Sequence, residues 1–204
     1  MKIYFVRHAP TSANSTGTMA VGYENADITL LDKPDDWEET VGCHIPAEAR
    51  RVILSSPTKR CVSTAKLLFD TYPTELTELL GEFDCKALGK LKFWEISETE
   101  FNQKVFLPAA TMESRARAIL RELVNNVRHE EQVDSFVAIS HGMVIRYLCH
   151  FLNGNPGISA YKVINSVGFR FSNLDLLVVD TDKMKTEDYH WNKPIDHAGE
   201  FKNE

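Results

Sequence analysis

The sequence predicts a single α/β domain, a three-layer sandwich around a mostly parallel central sheet. Short apolar runs of strand character, Ile3-Tyr4-Phe5-Val6, Val52-Ile53-Leu54 and Val133 to Ile139, alternate with segments of helical spacing. Strands alternating with helices of about 10–15 residues build parallel sheets. The 204 residues suffice for one well-buried core, and 43% hydrophobic with 25% charged residues is ordinary for a globular chain. No repeat, low-complexity tract or linker interrupts it, so the domain is drawn over 1–180 with a polar tail over 181–204.

The formal charge of −6, with no dominant Lys/Arg cluster, argues against a nucleic-acid partner. An anion site must then be built locally from a few convergent cations. No stretch approaches the ~20 apolar residues of a membrane span, and Arg7 follows Met1 too soon for a signal peptide. Cys43, Cys61, Cys85 and Cys149 lack ligand spacing and read as reduced thiols, mostly buried, of a cytoplasmic protein.

Taken in order, Ile3–Val6 is a buried strand that ends in Arg7-His8. Residues 9–27 are rich in Thr, Ser, Asn and Gly and read as a loop or broken helix start. Within 28–50, Leu30, Leu31, Trp37, Val41 and Ile45 are available to pack, but Pro34 and Pro46 forbid one long helix. That segment either covers the site as filler or contacts substrate. Val52–Leu54 is a second strand; Thr58 is placed as N-cap of a helix whose Cys61, Ala65, Leu68, Phe69 and Tyr72 share a face. Arg60 in its first turn runs against the macrodipole, which favours anions there. Gly89 and Pro108 bracket a region with Trp94, Phe101 and Phe106, read as a helical flap. Ala116, Ile119, Leu120, Leu123, Val124 and Val127 mark one face of a helix starting near Met112. After the strand 133–139, a helix buries Met143, Val144, Tyr147, Leu148 and Phe151-Leu152 and stops at Asn153-Gly154. Residues 168–180 read as one or two further strands.

These strand ends gather Arg7, His8, Arg60 and His141, with Glu82 as carboxylate candidate, at the carboxyl edge where open α/β sheets bind ligands. Such a set suits phosphoryl transfer to a protein nucleophile. A loose, metaphosphate-like group needs positioning and neutralised oxygens, which arginine forks supply. A histidine with one ring nitrogen held by a carbonyl can present the other's lone pair to phosphorus.

The motifs Arg7-His8-Ala9-Pro10-Thr11-Ser12-Ala13-Asn14, Ser55-Ser56-Pro57-Thr58-Lys59-Arg60-Cys61-Val62-Ser63-Thr64-Ala65 and Ser140-His141-Gly142 resemble those of the histidine phosphatase superfamily, over roughly residues 1–170. The resemblance implies a phosphoglycerate mutase-like fold and a phosphorylated small-molecule substrate. It also implies His8 as nucleophile and Arg7, Asn14, Arg60 and His141 as phosphate ligands. No metal or cofactor is expected. Glu82-Phe83-Asp84 retains the Glu-x-Asp core of the small-phosphatase branch's acid motif, with Glu82 carried over as proton donor and Asp84 its rival.

Two departures stand out. Ala9 replaces the family's Gly, which matters if positive φ or close backbone approach is needed, and Pro10 removes an N–H. The expected activity is a metal-independent phosphomonoesterase acting through phosphohistidine. A phosphoglycerate mutase and a non-catalytic phospholigand-binding module on the same fold are the alternatives.

Overall fold

The computed structural model describes residues 1–15, 27–88, 95–105, 107–130, 133–165, 169 and 171–189. Its strands are β1 (Lys2–Arg7), β2 (Ile53–Ser55), β3 (Thr74–Leu76), β4 (Ser135–Ser140), β5 (Leu176–Asp180) and β6 (Lys185–Tyr189). They form one sheet in the order β3-β2-β4-β1-β5-β6. β1–β4, β4–β2 and β2–β3 pair in parallel, whereas β5 and β6 add antiparallel.

Helices cover both faces, which is why the central strands read as unbroken apolar runs. Ile3 and Phe5 of β1 enter one core, while Tyr4 and Val6 enter the other. Phe136 and Ala138 of β4 likewise oppose Val137 and Ile139. The first core is closed by α4 (Glu98–Lys104), α5 (Ala109–Ala118), α6 (Val124–Glu130), α7 (Gly142–Leu152) and α8 (Ala160–Ile164). The second lies under α2 (Trp37–Thr40) and α3 (Lys59–Phe69); α1 (Ser12–Ser15) is one short turn after β1.

Several elements differ from the sequence expectation. On α3, Cys61, Ala65, Leu68 and Phe69 are buried as expected, but Tyr72 lies beyond the helix end and is exposed. In the 28–50 segment Trp37, Val41 and Ile45 join the second core, and Leu31 is 92% exposed. Phe101 is a core residue facing Tyr161 at 5.8 Å rather than part of a flap; Trp94 and Phe106 lie outside the described residues. The helical face from Met112 onward is observed, with a π turn at Ile119–Leu123 between α5 and α6. Among the described residues of the 168–180 stretch, only Leu176–Asp180 is strand. The start of the expected polar tail pairs as β6, an edge strand whose main-chain ladder needs no apolar pattern. No helix among the described residues is long and apolar enough to cross a membrane. Cys61, Cys85 and Cys149 are buried thiols outside any disulfide, and Cys43 is exposed.

Candidate active site

Three neighbouring strands end at one level. Arg7 is in register with Ser140, and Ser55 with Ile139. The ladder runs one step further, His8 N donating to Ser140 O (3.0 Å) and Ser56 N to Ile139 O (3.0 Å). His8, His141 and Ser56 therefore occupy adjacent positions just past β1, β4 and β2. The two imidazoles meet edge to face with centroids 5.4 Å apart, and both are at least 97% buried, at 3% and 0% exposure.

Partners that can only donate or only accept fix both tautomers. The nitrogen of His8 at 2.9 Å from the Ala9 carbonyl is Nδ1, which must carry the proton, leaving the Nε2 lone pair for attack. His141 is the reverse. Arg60 Nη2 donates to its Nδ1 (3.1 Å), so Nε2–H donates to Ser56 Oγ (2.9 Å). Burial, then the Arg7 and Arg60 charges, push His8 well below its ordinary value. Burial, then His8 and the nearby arginines, do the same to His141.

The sign of these shifts gives a first prediction. A depressed pKa keeps His8 neutral and nucleophilic down to below pH ~6.5, and costs folded-state stability as acid protonates the unfolded chain first. An NMR titration should find the His8 imidazole unprotonated at that pH, with stability falling on further acidification. Half-protonation of His8 at pH ~6.5 would contradict the lowering attributed to burial and the two arginines.

Arg7 and Arg60 bracket the histidines. Arg7 Nη1 donates to the Phe171 carbonyl, and its guanidinium lies against Gly142, where a Cβ would meet Nε at 3.1 Å. A side chain there would press the Arg7 guanidinium out of place by a few tenths of an ångström. The buried Arg7 Nε lacks a hydrogen-bond partner, a donor that a bound anion would satisfy. Arg60, 4% exposed, is placed by α3. Thr64 ties this helix to the nucleophile loop, donating to Arg60 O (2.7 Å) and accepting from Ala9 N (2.8 Å). Ala9 has no positive φ and keeps its N–H engaged, so the missing glycine costs this loop nothing in backbone strain. Asn14 accepts from Thr11 N and Thr11 Oγ1, both at 3.0 Å.

Glu82 arrives on a turn pinned from three sides. Thr77 N bonds Ser55 O (2.9 Å), Ser140 Oγ bonds Leu80 O (2.9 Å) and Arg115 Nη1 bonds Gly81 O (2.8 Å). Burial raises the Glu82 carboxyl above its ordinary value, outweighing the Phe83 N–H, Arg60, the Met143 N–H and Arg7. Asp84 is exposed. Among the described residues no three His, Cys, Asp or Glu side chains converge as a metal cluster.

The structure thus brings His8, His141, Arg7, Arg60, Asn14 and Glu82 to one sheet edge. It adds Ser56, Thr64 and the turn at Phe171–Asp175. Thr58 stands at the N-cap position, but its hydroxyl does not cap; it lies 3.3 Å from Ser56 Oγ and 3.5 Å from His141 Nε2. Ser56 and Thr64 stood inside the matched motif, whereas nothing in the sequence marks Asn173.

The family model for the histidine phosphatase superfamily (branch 1) matches residues 3–192. A phosphoserine phosphatase from Entamoeba histolytica in complex with 3-phosphoglyceric acid shares the fold. Its TM-score is 0.64 at 14% identity, over 94% of this chain and 98% of that one. The α-ribazole phosphatase from Shigella flexneri gives 0.53 at 15% identity, over 95% and 96%. Bacillus stearothermophilus YhfR gives 0.63 at 16%, over 92% and 94%. No curated protein matches the chain by sequence.

Proposed function

The chain belongs to the histidine phosphatase superfamily, and from that premise we propose that it hydrolyses a phosphorylated small molecule through a phosphohistidine on His8. The family match and its phosphatase neighbours support phosphatase activity. The observation that carries the finer reading is the Nδ1–H···O=C bond from His8 to Ala9, which fixes a free Nε2 lone pair between two arginines.

Arg7, Arg60 and the Asn14 NH2 hold the phosphoryl oxygens. As a phosphoryl oxygen takes the Arg60 Nη2 hydrogen bond from His141 Nδ1, the dianion raises the His141 pKa, so that Nδ1 can gain a proton and donate as well. His8 Nε2 attacks phosphorus as the P–O bond to the leaving group breaks, and Glu82 gives its proton to the departing oxygen. Its carboxylate then takes a proton from the water that attacks the phosphohistidine. The P–N bond pair returns to His8 Nε2, and inorganic phosphate leaves.

Because the protein's own cations neutralise the phosphoryl oxygens, turnover of a panel of phosphorylated metabolites and p-nitrophenyl phosphate should survive exhaustive EDTA treatment within about twofold. Loss on chelation with rescue by a divalent ion would refute metal independence. Absence of turnover across the panel, with phosphate binding retained, would support a binding module instead.

A further inference from the structure

The turn from Phe171 to Asp175 holds Arg7, His8 and Asn14, although it lies in a stretch that reads as strand. Phe171 O accepts from Arg7 Nη1, Leu174 N donates to Arg7 O (3.0 Å), and Arg7 N donates to Asp175 O (3.1 Å). Asn173 Nδ2 donates to His8 O (2.7 Å) and lies 3.3 Å from Asn14 Oδ1. The turn is fixed from within and by Trp37 from outside. Leu174 sits at φ +66°, Trp37 Nε1 donates to its carbonyl (3.0 Å), and the buried Asp175 carboxylate accepts from Ser172 N (2.6 Å). A branched residue in the left-handed region is a costly conformation that persists where surroundings over-determine it.

Chemistry settles the orientation of both amides. The Asn14 atom facing Thr11 N must be oxygen, because a backbone N–H only donates. Asn173 must then present its NH2, since both His8 O and Asn14 Oδ1 only accept. Its two hydrogens match two acceptors. With Oδ1 committed to Thr11 and Asn173, Asn14 is left to offer its own NH2 to a ligand.

We infer that Asn173 is a positioning residue for this reaction: it locks the backbone of the nucleophile His8 and the phosphate ligand Asn14 into one unit. The inference rests on the phosphohistidine reading above. Asn173 acts on the substrate by two routes. Through Asn14 it orients an amide for the phosphate, which governs affinity. Through the His8 carbonyl it sets where the imidazole stands, which governs kcat.

The test compares Asn173→Ala and Asn173→Asp in the wild-type and Asn14→Ala backgrounds. It measures inorganic phosphate affinity by calorimetry, kcat on p-nitrophenyl phosphate, and Tm. Asn173→Ala should weaken phosphate binding roughly 3–10-fold, the scale of one hydrogen bond, and lower kcat about tenfold. In the Asn14→Ala background its effect on phosphate affinity should shrink to under about twofold while the kcat loss persists. Asn173→Asp keeps the volume and the turn chemistry but faces a carboxylate to two acceptors. It should be worse than alanine in both readouts, and by more than its fall in Tm accounts for.

An aspartate variant as active as wild type, or affinity losses that add across the Asn14→Ala background, would overturn the role of Asn173. So would losses of activity that track Tm across both variants, since that is what a purely structural turn would give. A wild-type protein that neither binds phosphate nor turns over ester would instead overturn the phosphatase reading, and this inference with it.

Discussion

Replacing His8 with alanine is expected to lower turnover of phosphomonoesters by on the order of 10⁴-fold or more, because the residue supplies the bond to phosphorus rather than one contact among several. The loss should appear in kcat for every substrate, whatever its leaving group. The fold should survive. His8 lies at the end of β1, and its removal leaves one carbonyl acceptor at Ala9 unpaired, a cost of about 1–3 kcal/mol. Phosphate binding should persist in the variant, since Arg7, Arg60 and Asn14 are untouched. Stopped assays with circular dichroism and calorimetry on the same preparation separate these outcomes. Retained turnover in folded His8→Ala would remove it as nucleophile.

Glu82→Gln is expected to have the second largest effect, and one that depends on the leaving group. An alkoxide needs a proton as it departs, whereas a nitrophenolate leaves without one. The loss should be roughly 10²–10⁴-fold on alkyl phosphates and far smaller on p-nitrophenyl phosphate. The raised carboxyl pKa of Glu82 favours the protonated form that donates, and lets the alkaline limb of kcat lie above the ordinary carboxylate range. The same measurement on Asp84→Asn tests the rival. Leaving-group dependence at Asp84, with equal slowing of both substrates at Glu82, would move the acid to Asp84 despite its exposed position.

Much of this site could be read in the chain before its structure. Arg7, His8 and His141 follow runs apolar enough to be buried strands, so their place at the sheet edge came from periodicity. Arg60 stood out by opposing the dipole of its own helix. What could not be read depends on register and on backbone conformation. Ser56 reaches His141 because β2 pairs with β4 one step past its last strand residue, a relation that spans 85 positions. Asn173 lies in an alternation that reads as strand, and the bend comes from Leu174, a residue type that advertises no turn. Trp37 belongs to a segment that reads either as filler covering the site or as a substrate contact. Its indole N–H instead holds the Leu174 carbonyl behind the nucleophile loop. β6 carries no apolar alternation, because Lys185–Asp188 are all polar, as a solvent-facing edge permits.

The most direct measurement is a rapid-quench experiment with a ³²P-labelled phosphomonoester, followed by peptide mapping of the labelled protein. The expected result is a burst of label on the peptide carrying His8, labile in acid and stable in base, absent from His8→Ala, and longer-lived when water attack is slowed in Glu82→Gln. The buried Cys61 thiol, held up at about 12, is not expected to compete as a nucleophile. Label on Cys61 or Ser12, or steady turnover of labelled substrate with no covalent intermediate at any time point, would contradict a phosphohistidine at His8.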